Sequence, residues 1–236
     1  TALRNVEVRQ PEERLTPEAK STYAFLLYSQ ALNAEDEAAL LQAAPLMAAA
    51  KLPPNIWLEG GVWLVSRKSE GAIPYLEQGL SVAPDDMSLN LLHAEALMEQ
   101  GTPERGVELM RAYLKKHPES LDARLELALL LVKTKQYPEA EKLLNSVTGK
   151  QRTPLVDYYH ARALIGMDRP GEAVAYLQRA IKDTPDFVEA LAELAFIYEQ
   201  KPDLKAARGV YEKLLKLNFS SQDVLLRLIN ISLRMG

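Results

Sequence analysis

The chain contains no cysteine. That removes disulfides, thiolate zinc sites and cysteine nucleophiles from consideration. The absence leans toward an extracytoplasmic, periplasmic-type bacterial protein, with the cytoplasm as the alternative; nothing else fixes the compartment. No stretch approaches the run of about 18 apolar residues that a membrane-spanning helix needs. No secretory leader is read, and a chain that begins at Thr1 is expected to have lost a preceding segment. Basic runs are missing too: 28 Lys and Arg stand against 32 Asp and Glu, a net charge of −4. Binding nucleic acid calls for a basic face that displaces condensed counterions, so nucleic acid is not an expected partner. The 11 glycines are scattered at turns, and Gly60-Gly61 lies inside a helical pattern, so no phosphate-cradling loop is formed. No Ser-His-Asp arrangement or metal-ligand spacing is present. Neither an enzyme nor a cofactor is expected.

What the chain does have is helical punctuation. Residues 1–15 mix Val, Arg and Glu around Pro11 and read as an N-terminal arm, either disordered or lying along the body. Thr16-Pro17-Glu18 is a helix start: a capping hydroxyl, proline at the first helical position, an acid in the first turn. Helices are predicted from about Pro17 to Leu32 and from about Glu35 to Lys51, with Pro53-Pro54 stopping and restarting the chain.

From there a register can be counted. A small residue recurs at Gly60, Ala94, Ala128, Ala161 and Ala195, with spacings of 34, 34, 33 and 34. A second track, Ala72, Gly106, Ala140, Ala173 and Ala207, repeats the same spacings. Large residues follow the first track at Trp63, Leu97, Leu131, Leu164 and Tyr198, and the second at Leu76, Met110, Leu144, Leu177 and Tyr211. A small side chain lets two helices approach, and a large one a turn away fills the space beside it. Both tracks lose one residue together, which places the slip between Leu144 and Ala161, most naturally at Gly149 to Thr153. Pro84, Pro118 and Pro185 separate the pairs; Arg152 and Phe219 stand where the others have proline.

A helix pair repeating every 34 residues resembles the tetratricopeptide repeat. The unit from Pro154 to Asp186 carries the likeness best, with Ala161, Leu164, Ala173, Leu177, Ala180 and Pro185. The resemblance covers Pro53 to Ser221 well and Thr16 to Leu52 loosely, with Ala39 the clearest anchor there. The family's Trp and Gly at the start of the first helix are mostly missing. The resemblance implies an all-α fold: a right-handed α-solenoid of antiparallel helix pairs. Residues 16–236 would form one domain, with units near 16–52, 53–86, 87–120, 121–153, 154–187 and 188–221, and a partial one over 222–236.

The resemblance also implies a groove lined by the first helices and a function as a non-catalytic scaffold binding a peptide or partner protein. The family's groove positions fall on Leu91, Glu95 and Met98, then Leu125, Leu129 and Val132, then Tyr158, Arg162 and Ile165, then Phe196 and Glu199. Trp57 and Leu64 would begin the row, and Leu226 and Asn230 would end it. Leu125, Leu129, Tyr158 and Phe196 are the expected anchors, with Arg162 and Glu199 orienting the ligand. Packing of these side chains as core is the competing reading. No Lys stands at the positions Trp57, Leu91, Leu125, Tyr158, Ala192 and Leu226, so the family's clamp for C-terminal carboxylates is not expected. A pentatricopeptide RNA binder is disfavoured by the period and the acidity.

His93, His117 and His160 read as helix-face residues; His93 and His160, two repeats apart, would lie about 20 Å or more from each other and share no metal. Asp85-Asp86 and Asp183/Asp186 are expected to cap helices rather than act as an acid–base pair. The final helix, 222–235, is apolar around most of its circumference. It is expected to continue into further chain, or to dock, most simply as a homodimer. A self-assembly module whose groove is filled by its own arm or by a second copy is the alternative function.

Overall fold

The computed structural model describes residues 16–200, 203–217 and 222–235. The arm expected over residues 1–15 lies outside them. Among the described residues the protein is all α, with no strand. The helices are α1 (Pro17–Asn33), α2 (Glu37–Ala49), α3 (Pro54–Ser66), α4 (Ala72–Val82), α5 (Met87–Glu99), α6 (Pro103–Lys116), α7 (Leu121–Lys133), α8 (Tyr137–Asn145), α9 (Pro154–Gly166), α10 (Pro170–Asp183), α11 (Val188–Gln200), α12 (Leu204–Lys216) and α13 (Gln222–Met235). A 3-10 turn, Gly149–Gln151, separates α8 from α9.

Local chemistry sets the helix ends. The Thr16 hydroxyl accepts from the Ala19 N–H at 3.3 Å, and Asp36, Asp86 and Asp203 do the same for Ala39, Leu89 and Ala206. Each satisfies an amide that the helix leaves unpaired. Proline opens α1, α3, α6, α8, α9 and α10, where its missing N–H costs nothing. Asp86 is thus a cap as expected. Asp85 is not: its carboxylate meets the His117 ring at 3.3 Å and Lys116 at 3.6 Å. Asp183 ends α10 rather than starting α11.

The turns inside the pairs share one device. Glu35, Lys68, Gly101, Lys135 and Asp168 all take positive φ, between 51° and 75°. The amide of the next residue reaches back five residues, as in Ser69 to Leu64 at 3.0 Å, Thr102 to Leu97 at 2.9 Å and Gln136 to Leu131 at 2.7 Å. This left-handed cap satisfies the last carbonyls and reverses the chain.

The described residues pack as two compact units, divided between Ala123 and Arg124. In the first, α1 packs on α2, α3 on α4 and α5 on α6; α4 also meets α5, and like helices of successive pairs touch. Its core centres on Trp57 and Tyr75, fully buried with ring centroids 5.0 Å apart. The Trp57 indole N–H donates to the Leu52 carbonyl at 3.1 Å. The glycines around them leave necessary space. A Cβ on Gly60 would sit 2.3 Å from the Tyr75 hydroxyl, and one on Gly79 would sit 3.0 Å from the Trp57 side chain.

In the second unit α8 packs on α9, α9 on α10, α10 on α11, α11 on α12 and α12 on α13. Ala161, Ala173, Ala195 and Ala207 are fully buried beside Leu164, Leu177 and Tyr211. All ten small positions of the two tracks are buried. Of the large ones, Trp63 and Tyr198 are only half-buried. Trp63 carries the Arg67 guanidinium 4.5 Å from its ring centroid, and the Tyr198 hydroxyl accepts from Gln178 at 2.7 Å. The one-residue slip coincides with a short α8, of 9 residues against 14 in α10 and 13 in α12.

Candidate functional site

The first helices of the second unit, α9, α11 and α13, carry the candidate site. On α11, Glu189, Ala192, Glu193 and Phe196 recur at intervals of three and four, so they share one face. Tyr158 of α9 borders them on one side, and Asp223, Val224 and Arg227 of α13 on the other. Tyr211 of α12 lies behind. Together these nine residues line an open, shallow hollow of about 430 Å³. Ala192 leaves the space open where Tyr158 and Leu226 stand at the corresponding positions of the helices on either side.

Phe196 is the exposed aromatic of this face, with 43% of its surface in solvent. The Arg227 guanidinium lies 5.5 Å from its ring centroid. Arg227 is held by Glu199 at 2.9 Å and Asp223 at 3.0 Å, and those carboxylates push its pKa up. Glu199 also accepts from the Tyr211 hydroxyl at 3.1 Å. Burial, then that hydrogen bond, pushes the Tyr211 phenol up to about 12. Arg162 donates to the Tyr158 hydroxyl at 3.1 Å and pairs with Glu193 at 3.4 Å.

The sequence-predicted residues fare differently. Phe196 is exposed; Leu125, Leu129, Arg162, Ile165 and Glu199 are half-buried; Val132 and Tyr158 are buried. Tyr158, 8% exposed, packs on Phe187 with centroids 5.0 Å apart. In the first unit Glu95 is exposed, and Leu91 and Met98 are half-buried. Leu226 and Asn230 are exposed on α13. Trp57 and Leu64 do not belong to this row: both are fully buried core. Gly79 leaves the room that the Trp57 side chain fills, and Gly60 the room for the Tyr75 ring packed on it. Arg162 and Glu199, expected to orient a ligand, already hold intramolecular partners.

Sequence reasoning missed a second polar cluster. Asp157 is buried on α9 and receives three charge-assisted hydrogen bonds: from Arg152 Nε at 2.7 Å and from Arg179 Nε and Nη2 at 2.7 and 2.9 Å. Both guanidiniums lie over Tyr176, at 5.2 and 4.9 Å, and the His160 ring lies 4.1 Å from the same ring. Arg152 is the residue that replaces the inter-pair proline, and that break in the pattern was the available signal. The Asp157 carboxylate thus ties α9 to α10 and to the turn before α9. His93 and His160 are both buried, and burial pushes their pKa down. Among the described residues no group of three His, Cys, Asp or Glu could hold a metal, and no helix is long and apolar enough to cross a membrane.

Comparison with known proteins bears on the fold. A tetratricopeptide-repeat model matches residues 97–165 and a second matches residues 158–219. The cellulose synthase operon protein C of Pseudomonas fluorescens (strain SBW25) is 26% identical over 153 residues, which are 60% of this chain and 12% of that protein. Among solved structures, MamA of Desulfovibrio magneticus RS-1 (41-end) is similar at 23% identity and TM-score 0.60, covering 72% of this chain and 97% of its own. Pseudomonas aeruginosa PilF is similar at 17% identity and TM-score 0.68, covering 77% and 84%. A tetratricopeptide repeat protein of Parabacteroides merdae ATCC 43184 is similar at 14% identity and TM-score 0.69, covering 92% and 87%.

Proposed function

We propose, on the premise that this chain belongs to the tetratricopeptide-repeat family, that it is a non-catalytic scaffold that holds a peptide segment of a partner protein against α9, α11 and α13. The family supports protein interaction in general; the docking face is the finer reading. The observation that carries it is the hollow behind Phe196, whose aromatic wall, open centre at Ala192 and buried floor of Val224 and Tyr211 suit an inserted side chain. Phe196 is the residue to truncate, because Tyr158 is already committed to the core. With a partner captured from the native cell and purified, Phe196→Ala should weaken binding by about 2 kcal/mol, the loss typical of a hot spot. Unchanged affinity by calorimetry, with the helical content intact, would sink the assignment.

Self-association through α13 is the second reading. Leu225, Leu226, Ile229 and Leu233 are 44%, 58%, 57% and 79% exposed. The corresponding α11 positions of Leu225 and Ile229 are Leu191 and Ala195, both buried under neighbouring helices. A helix face of that composition gains by being covered. Sedimentation across a wide concentration range tests it: a monomer throughout, equal in the chain and in Leu233→Glu, removes this reading.

A further inference from the structure

Granted the docking face on α9, α11 and α13, we infer that its hollow selects a basic anchor, a lysine or arginine flanked by apolar residues, from the partner segment. The charge balance around the hollow points there. Glu189, Glu193 and Asp223 line it and Glu199 stands beside it; Arg227 lines it and Arg162 adjoins it. Four carboxylates therefore face two guanidiniums. Both guanidiniums are already engaged: Arg227 bridges Glu199 and Asp223, and Arg162 pairs with Glu193. An incoming carboxylate or phosphate would meet net negative charge and, among the described lining residues, no cation without a carboxylate partner. A lysine or arginine finds the exposed Glu189, which has no ion pair with the described residues, and the remaining acceptor capacity of Glu193 and Asp223.

The apolar surface suits the same side chain. The methylene stem of lysine or arginine lies along Ala192 and Val224 while the charged head stays at the wet rim. The Phe196 face attracts cations through its ring quadrupole, as Arg227 already shows at 5.5 Å. A neutral leucine would fill the hollow but leave the unbalanced carboxylates without a gain.

Selection of a random-peptide phage library on the intact chain tests this, with the enriched peptides synthesised and measured by fluorescence anisotropy. The expected result is enrichment of Arg or Lys beside apolar residues. Replacing that basic residue by Gln, or introducing Glu189→Lys, should each weaken binding about tenfold or more, and affinity should fall as salt rises. Glu189 is exposed and makes no ion pair with the described residues, so Glu189→Lys and the milder Glu189→Gln should keep the wild-type thermal midpoint. Enriched peptides that are neutral or acidic, or basic ones indifferent to Glu189→Lys, overturn the basic anchor and leave the docking face standing if Phe196→Ala abolishes them. Peptides indifferent to Phe196→Ala, or a library that yields no binder, overturn both.

Discussion

Tyr75 illustrates how one residue trades shape against polarity. Its ring fills the space beside Trp57, but its buried hydroxyl finds no hydrogen-bond partner. An unsatisfied buried hydroxyl costs free energy, so Tyr75→Phe should be neutral or stabilising. Gly60→Ala should cost about 1–3 kcal/mol, because its new methyl overlaps that hydroxyl. The double variant should recover part of the loss; a thermal-denaturation cycle with no coupling would contradict the contact. The buried histidines give a pH dependence of definite sign. Burial holds His93 and His160 below the ordinary value of 6.5. As pH falls through that value the unfolded chain takes up protons that the folded chain refuses. Stability is therefore full above it and lost progressively below it. The urea midpoint should drop between about pH 7 and about pH 5, and less so in His160→Gln. An equal drop in that variant would show that His160 does not contribute.

At the scale of elements, the turns and the Asp157 cluster set the helix geometry. Lys135 and Asp168 adopt φ of 60° and 58°, a conformation that costs an L-residue with a Cβ. Lys135→Gly should raise stability by about 1 kcal/mol, the strain relieved less the added freedom of the unfolded chain. Lower stability by urea titration would mean that the turn is not strained. Asp157→Ala leaves Arg152 and Arg179 without their buried carboxylate and should cost about 3 kcal/mol, read as a lower thermal midpoint. These elements also show where sequence reading succeeds. The Gly60–Ala195 and Ala72–Ala207 tracks were legible because close helix approach demands a small residue at a fixed interval. The left-handed turns recur nearly as regularly, yet only Gly101 announces itself; Glu35, Lys68, Lys135 and Asp168 have no distinguishing side chain. Asp157 was illegible for a different reason, since its partner Arg179 lies on another helix. Trp57 was assigned to the docking row by position alone, and the space made by Gly79 beside its side chain decided otherwise. Phe196 and Ala192 were legible as positions, but the hollow between them depends on α13.

At the scale of the molecule, the strong helix contacts within each unit join helices of the same or successive pairs, so stability should be a sum of local terms and nearest-neighbour interfaces. The two compact units make this testable with intrinsic probes. The chain has 2 tryptophans, Trp57 and Trp63, both in the first unit. Tryptophan fluorescence therefore reports the first unit, while far-ultraviolet circular dichroism reports every helix. Leu164 of the second unit and Leu76 of the first are both fully packed track residues. Truncating either to Ala should cost about 2–5 kcal/mol. Leu164→Ala should advance the loss of helix in urea while the fluorescence midpoint stays near the wild-type value; Leu76→Ala should move the fluorescence midpoint itself. If fluorescence and circular dichroism shift together in both variants, the units unfold as one cooperative body, as a single domain over residues 16–236 requires. Separate shifts would instead make the docking unit an independently stable carrier of α9, α11 and α13, whose hollow persists when the first unit is destabilised.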